Sequence, residues 1–343
     1  MMSIDARAIL ERLLKHDDLS EDEAGDIMRL LTDADLPQPM SAALLIGLRS
    51  KGETAAEVRG FARAMRELAR DTRLPEGMAA ADIVGTGGDG SGSLNISTGT
   101  ALLTAGCGIP VVKHGNRSVS SKSGSADVLE AMGVPMPQDP AAAMHCLSAC
   151  GFTFLFAPFF HPAMKAIAPV RAAMGVRTVF NILGPLTNPA RPPFNLIGAF
   201  DLPTARLMAE TLMGMDMERS FVVHGEPGWD EATPVGPFTL FDVRPSEMRE
   251  ERRDPQDYGI PRCSPDDLIG GDAAVNAAAL EGVLSGADAG PHRDTLVLGA
   301  GLVLELTGMV DSLDEGIERA LEALASGDVA SVLQKLRDFK SSS

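Results

Sequence analysis

Ala81-Asp82-Ile83-Val84-Gly85-Thr86-Gly87-Gly88-Asp89-Gly90, followed closely by Asn95-Ile96-Ser97-Thr98, is the stretch on which the reading of the fold turns. Asp82–Val84 reads as a short apolar strand, Gly85–Gly90 as a glycine-rich turn, and Thr98–Cys107 as a helix. A strand passing through such a turn into a helix is the opening of an α/β unit. Four glycines in six residues let the backbone take positive φ angles and bring N–H groups close to a ligand. The helix start adds a dipole that favours an anion. Together these features predict a pyrophosphate site. The spacing matches neither the GxGxxG dinucleotide fingerprint nor a GxxxxGK[ST] loop, since no lysine follows.

Working outward, further strands are expected at Ile109–Val112, Phe152–Phe156, Leu196–Ala199 and Ser220–His224, with a helix at Ser125–Met132. Strands alternating with helical segments indicate a central, mainly parallel sheet flanked by helices. Residues 4–70 are different. Ile9, Leu13 and Leu14 recur at helical spacing, Ser20 with Glu23 forms a capping box, and Gly52 with Thr54 offers a break and a cap. This predicts a small helical unit ahead of the α/β part. Pro158–Met174 also reads as helical and is expected to pack with it. Asp272–Leu284, Asp294–Leu306 and Ser312–Ala325 complete the helices.

The chain has 343 residues, 45% hydrophobic and 22% charged, which suits a globular protein with a large core. Its 35 glycines and 23 prolines are dispersed between apolar runs, as expected of many short loops. A formal net charge of −17 argues against general nucleic-acid binding, which needs a basic surface. It leaves room for a phosphorylated small substrate held by backbone N–H groups or a metal ion. Cys107, Cys146, Cys150 and Cys263 fit neither a disulfide framework nor a zinc site and read as reduced core thiols. No apolar run approaches a membrane span, and the N-terminus is too charged for a signal peptide, so a cytoplasmic location is expected.

Three further motifs carry chemistry. Lys113-His114-Gly115-Asn116-Arg117-Ser118-Val119-Ser120-Ser121-Lys122-Ser123-Gly124-Ser125 sets three cations and five serines on what reads as one loop after the Ile109–Val112 strand. Open α/β sheets bind ligands at the carboxyl ends of strands, where both loops would lie. Asp230-Glu231 offers hard oxygen ligands for Mg²⁺. Arg171, in Pro169-Val170-Arg171, offers a fork for a carboxylate, with Arg177 and Asn181–Pro189 following.

In order and spacing these motifs resemble the anthranilate phosphoribosyltransferase family. The resemblance rests on Gly85–Asp89 (GTGGD), Asn95–Thr98, Lys113–Arg117 (KHGNR), Val170-Arg171, Asn181–Pro189 and Asp230-Glu231, densest over residues 80–236, with a weaker tail through Gly270–Asn276. It implies a helical domain at 1–72, completed by helices around 158–188, and an α/β phosphoribosyl-binding domain at 80–343. It also implies transfer of the phosphoribosyl group of phosphoribosyl pyrophosphate (PRPP) to anthranilate, in a homodimer joined through the helical domain. PRPP would contact Gly85, Gly88, Asp89, Ser93, Asn95, Ile96, Ser97, Thr98, the loop Lys113, His114, Gly115, Asn116, Arg117, Ser118, Val119, Ser120 and Ser121, and Ser125. Gly85, Asn116 and Arg171 would contact anthranilate. Ser97, Asp230 and Glu231 would ligate Mg²⁺, two ions per active site.

The run after the acidic pair, Ala232-Thr233-Pro234, and Gly299-Ala300-Gly301, where many members have Asn-Ala-Ala, depart from the family pattern. An aromatic amine sheds its proton readily once C–N bonding begins, so no dedicated general base is expected. His114 is the only histidine inside a motif. Two other readings share these features: a pyrimidine nucleoside phosphorylase, which would need no acidic pair, and a non-catalytic phosphate-ligand sensor.

Overall fold

The computed structural model describes residues 5–118 and 122–340. Four helices come first: α1 Ala6–Leu14, α2 Glu21–Leu31, α3 Gln38–Lys51 and α4 Ala55–Leu68. Two start at the expected caps. The Ser20 hydroxyl accepts the Glu23 N–H, Thr54 accepts that of Glu57, and each glutamate reaches back to its cap. Glu57 is fully buried and also accepts from Lys51 at 3.0 Å and from the Leu19 N–H at 2.9 Å. The helices meet closely where small residues allow it; a Cβ on Gly60 would overlap the Glu21 carbonyl.

The α/β part then runs β1 Ala81–Gly85, α5 Ile96–Gly106, β2 Val111–Gly115, α6 Ser125–Ala131, α7 Pro140–Cys150 and β3 Phe152–Phe156. Three helices follow: α8 Ala157–Phe160, α9 Met164–Met174 and α10 Phe180–Leu183. Next come β4 Phe194–Gly198, α11 Leu202–Leu212, β5 Arg219–Gly225, β6 Phe238–Arg244 and β7 Glu247–Arg253. The chain closes with α12 Ala273–Leu284, α13 Pro291–Leu306, α14 Leu313–Ser326 and α15 Asp328–Asp338.

One sheet has the order β3-β2-β1-β4-β5-β6-β7. Its first five strands pair in parallel, and β6 and β7 add an antiparallel edge. The chain winds one way from β1 through β2 to β3 and the other way from β4 to β5. The point of reversal is therefore the β1/β4 pair, and ligands of open α/β sheets bind beyond the carboxyl ends of strands at such a point. Alternation along the strands divides the core in two. Leu196, Phe221, Val223 and Leu240 face α5 and α12–α15, whereas Ile197, Val222, Phe241 and Val243 face α11, α9 and the first four helices. The helical unit thus covers one face of the sheet. Arg59 of α4 ties it down by donating to the carbonyls of Glu210 and Thr211 in α11.

The strand expected at Ile109–Val112 begins two residues later. Pro110 lacks an N–H, and its carbonyl takes the Ala81 N–H instead. Lys113, His114 and Gly115 are therefore strand residues, paired with Phe154, Leu155 and Phe156 rather than lying on a loop. The β6–β7 hairpin is an addition to the expected strands. All four cysteines are free, three of them buried. No described helix is long and apolar enough to cross a membrane. At Gly299-Ala300-Gly301 the missing side chains let α13 close on Thr100 of α5 and on Gly316 of α14.

Candidate active site

Four neighbouring strands, β2, β1, β4 and β5, end in glycine, and three of these glycines, Gly85, Gly198 and Gly225, face the loop that carries Asp230 and Glu231. A Cβ at Gly85 would overlap the Asp230 carboxylate, one at Gly198 the Asp230 carbonyl, and one at Gly225 the Glu231 carbonyl. The glycines leave room for the 226–234 loop to fold back over the strand ends and set the acidic pair beside the loop after β1. Asp230 Oδ2 accepts the Gly87 N–H at 2.6 Å. Asp230 is buried, and burial followed by the charge of Asp89 pushes its carboxyl up to about 7. Glu231 is also held well above the usual carboxylate range by burial and by Asp230, while Lys113 and the Ser97 N–H pull it down. Asp89 Oδ2 is buried with no donor facing it among the described residues. Three carboxylates lie near one another with Lys113 acting on Glu231, an excess of negative oxygen that suits a hard divalent metal such as Mg²⁺, although no three His, Cys, Asp or Glu side chains among the described residues already converge on a metal position.

Lys113 is buried, and its strand position sends it under the glycine loop. Its ammonium donates to the Ile83 carbonyl and, at 3.2 Å, to the Ser97 hydroxyl. Burial lowers its pKa, opposed by Asp82 and Glu231. Asp82, fully buried, accepts from the His114 N–H and from the Asn188 amide, at 3.2 and 2.8 Å, and burial raises its carboxyl to about 6. His114 leaves the opposite face of β2 and contacts the Gly184 carbonyl through Nδ1 at 3.2 Å. Burial and the neighbouring His161 ring, 5.0 Å away, lower its pKa to about 3.

The start of α5 differs from a free anion site. At the helix start Ile96-Ser97-Thr98, the Ile96 N–H donates to the Leu94 carbonyl and the Thr98 N–H to that of Asn95, while the Ser97 N–H helps to lower the Glu231 carboxyl. The side chains of Ile96 and Thr98 are buried. Of these three residues, Ser97 presents its hydroxyl to Lys113. Asn95 does not cap the helix. Its Nδ2 donates to the Ser123 carbonyl at 3.1 Å and its Oδ1 accepts from Asn276 Nδ2 at 2.9 Å, while Asn276 Oδ1 takes the Gly271 N–H at 2.6 Å. A main-chain donor at one end and a main-chain acceptor at the other fix the orientation of both amides. Ser93 bridges to Ile269, and its hydroxyl accepts from Ser91 at 3.2 Å.

After β2, the Ser118 and Gly124 N–H groups both donate to Asp127 Oδ2, at 3.2 and 2.9 Å. Arg117 pairs with Asp127 and Glu130. Ser125 opens α6 beside Gly115. Val119, Ser120 and Ser121 lie outside the described residues. Asn116 is exposed and accepts the Arg117 N–H. The Arg171 guanidinium lies 4.8 Å from the Phe180 ring, and no acid pairs with it among the described residues. Neither residue is hydrogen-bonded to the glycine loop. Asn188 and Asn276 stand inside stretches that carry the family resemblance, but their roles in holding Asp82 and Asn95, and the role of Asp82 itself, gave no signal in the sequence, because those partners are 30 or more residues away.

A model described as the α/β domain of a glycosyl transferase family matches residues 77–330, and that of its helical bundle domain matches 7–69. The anthranilate phosphoribosyltransferase of Rubrobacter xylanophilus is 43% identical over 329 residues, 96% of each chain. The crystal structure of that of Thermus thermophilus superposes with a TM-score of 0.91 at 40% identity, covering 98% of this chain and 99% of the other. The Saccharomyces cerevisiae enzyme in complex with PRPP and Mg has a TM-score of 0.88 at 26% identity, covering 97% of each chain. The same yeast enzyme has been solved with 4-fluoroanthranilate (TM-score 0.85, 26% identity, 97% and 98% covered).

Proposed function

Because the chain belongs to the anthranilate phosphoribosyltransferase family, we propose that the residues gathered beyond the carboxyl ends of β1, β2 and β4 are the place where it carries out that family's reaction. The reaction is transfer of the 5-phosphoribosyl group from PRPP to the amine of anthranilate, releasing pyrophosphate, in tryptophan biosynthesis. The observation that carries the placement is the folding of Asp230-Glu231 onto the glycine loop, with the Asp230–Gly87 hydrogen bond as its seal.

In this reading the loop after β1 (Gly85, Gly88, Asp89, Ser93, Asn95, Ile96, Ser97, Thr98) and the segment from Lys113 to Ser121, with Ser125, hold PRPP. Ile96 and Thr98, with buried side chains and N–H groups already given to Leu94 and Asn95, would contribute by shaping the helix start. Asp230, Glu231 and Ser97 would hold Mg²⁺, two ions per site, and Asp89 belongs with them on the strength of its orphaned oxygen. Bound there, the metal supplies positive charge to the pyrophosphate as negative charge gathers on it. Lys113 adds a fixed cation beneath Ser97. Arg171, with no acid of its own, receives the carboxylate of anthranilate, beside Gly85 and Asn116.

The C1–N bond forms as the C1–O bond to pyrophosphate breaks, and the amine loses its proton to solvent. His114 is too weak a base to take that proton, because burial holds its pKa near 3 and its Nδ1 is engaged by Gly184. Exposed Leu14 and Ile46, on the crossing helices α1 and α3, support a homodimer through the helical unit. Four free cysteines are in keeping with a cytoplasmic location.

The test follows anthranilate fluorescence with PRPP and Mg²⁺, with and without EDTA. Loss of fluorescence that needs both PRPP and metal is expected. Arg171→Ala should raise the anthranilate KM on the order of tenfold or more, as loss of a charge-assisted contact implies, and leave the PRPP KM unchanged. Equal changes in both would remove Arg171 from the anthranilate site.

A further inference from the structure

Arg177 lies between α9 and α10, outside every contact assigned above to a substrate. Its guanidinium donates to two consecutive carbonyls of the glycine loop, to Gly87 at 2.9 Å and to Gly88 at 3.4 Å. It stacks over the Phe200 ring, just beyond β4, at 3.7 Å. Its own carbonyl accepts from Arg49 of α3 at 2.7 Å. No acid pairs with it among the described residues. Gly88 has φ +78°, and a Cβ there would overlap the Arg177 guanidinium. That glycine is both a turn residue and the seat of the arginine.

A trans peptide unit is planar, with its C=O and the following N–H pointing in opposite directions. Holding the Gly87 and Gly88 carbonyls on one side therefore sets the Gly88 and Asp89 N–H groups on the other. The rigid planar fork of arginine suits two adjacent acceptors, and stacking on Phe200 fixes its plane. The single ammonium of a lysine lacks that fork.

We propose that Arg177 is a positioning residue that clamps the Gly87 and Gly88 carbonyls so that the N–H groups of Gly88 and Asp89 face the pyrophosphate of PRPP, and that Arg49 makes this clamp depend on the placement of the helical unit. The inference rests on the assignment of the glycine loop to PRPP. Arg177 holds the loop; it does not touch the reacting atoms.

The experiment measures both KM values and kcat for full-length Arg177→Met, Arg177→Lys, Arg49→Ala and Asn95→Ala, with melting temperatures to establish folding. Both Arg177 variants are expected to raise the PRPP KM about tenfold or more, equivalent to about 1.4 kcal/mol, and to leave the anthranilate KM within about twofold. Arg49→Ala should move the PRPP KM in the same direction by less. Recovery by Arg177→Lys to about the wild-type value would mean that charge alone acts, and would overturn the clamp. So would equal rises in both KM values. An unchanged PRPP KM in Arg49→Ala would sever the link to the helical unit. If Asn95→Ala raises the PRPP KM and Arg177→Met does not, the clamp falls while the PRPP site stands. If neither does, the assignment of the loop to PRPP falls, and the clamp with it.

Discussion

The loop after β1 and the loop after β2, both proposed to hold PRPP, are held in different ways. The first, residues 86–95, is shaped from outside. Asp230 takes its Gly87 N–H, Arg177 takes two of its carbonyls, the 268–270 segment pairs with Gly92 and Leu94, and Asn276 holds Asn95. The second, in its described residues, is shaped more from within, with Asp127 accepting from Ser118, Gly124 and Arg117 over residues 117–127, while Asn95 of the first loop donates to its Ser123 carbonyl. The first loop takes its working shape only when four distant elements are in place. The second draws more of its shape from its own helix. The proposed PRPP site is therefore more sensitive to the arrangement of the whole molecule at one loop than at the other.

The largest test of that difference is Gly198→Ala. Its methyl would overlap the Asp230 carbonyl and push the acidic pair off the glycine loop. Activity should fall on the order of a hundredfold, as expected for a displacement of about 1 Å at a reacting centre. A variant with near-normal kcat/KM would show that the first loop keeps its shape without Asp230.

Asn276→Ala set against Asp127→Ala sharpens the contrast. Removing Asn276 takes the partner from the Gly271 N–H and from the Asn95 Oδ1, both half-buried. The cost is about 1–3 kcal/mol, and the PRPP KM should rise about tenfold. Asp127→Ala frees N–H groups that water can reach and should cost about 1 kcal/mol, with a rise in the PRPP KM of about threefold or less. The reverse ranking would dissolve the distinction between the loops.

The smallest effect concerns acid. His114 and His161 are buried with pKa values lowered by burial to about 3 and about 4, below the ordinary 6.5. The unfolded chain takes up these protons first, so the stability that the neutral rings preserve is complete above pH 6.5 and is lost as pH falls toward 4. Asp82 works against this, because its folded pKa of about 6 lies above the ordinary 3.8 and favours the folded state as pH falls through that range. Each group contributes at most about 1.4 kcal/mol per pH unit, and Asp230 and Glu231, whose carboxyls are also raised, act in the same sense as Asp82, so three acids oppose the two histidines. Melting temperature should therefore hold level or rise from pH 7 to pH 5, and His161→Phe, which removes one opposing group, should make the profile more favourable at pH 5 relative to pH 7. An identical slope in that variant would remove His161 from the balance.

The five parallel strands were legible in the sequence because each carries residues for both faces of the core, and Phe152–Phe156 was placed to the residue. β7 was not, because Glu247-Met248-Arg249-Glu250-Glu251-Arg252-Arg253 has almost no apolar pattern from which to read a period. The helices at 140–150, 202–212 and 328–338 also passed unmarked. The chemistry of the site was legible wherever its residues stood together, as in Gly85–Asp89, Lys113–Arg117 and Asp230-Glu231. What escaped was the support supplied from a distance: Asn276 for Asn95, Asn188 for Asp82, Arg177 for Gly87 and Gly88. A signal for the acidic loop was present in three of the strand-ending glycines, but its meaning depends on those strands being neighbours.

The charged β7 has one more consequence. It lies at one margin of the sheet, where a strand leaves backbone donors and acceptors open to a neighbouring chain. Its glutamates and arginines are paired within the molecule, Arg253 with Glu305 and Arg206 with Glu250. A second copy adding its own strand there would have to strip water from this row of ions. The opposite margin, β3, is almost entirely buried. Growth of the sheet from molecule to molecule is thus discouraged at the β7 margin, in keeping with the proposed association through helices.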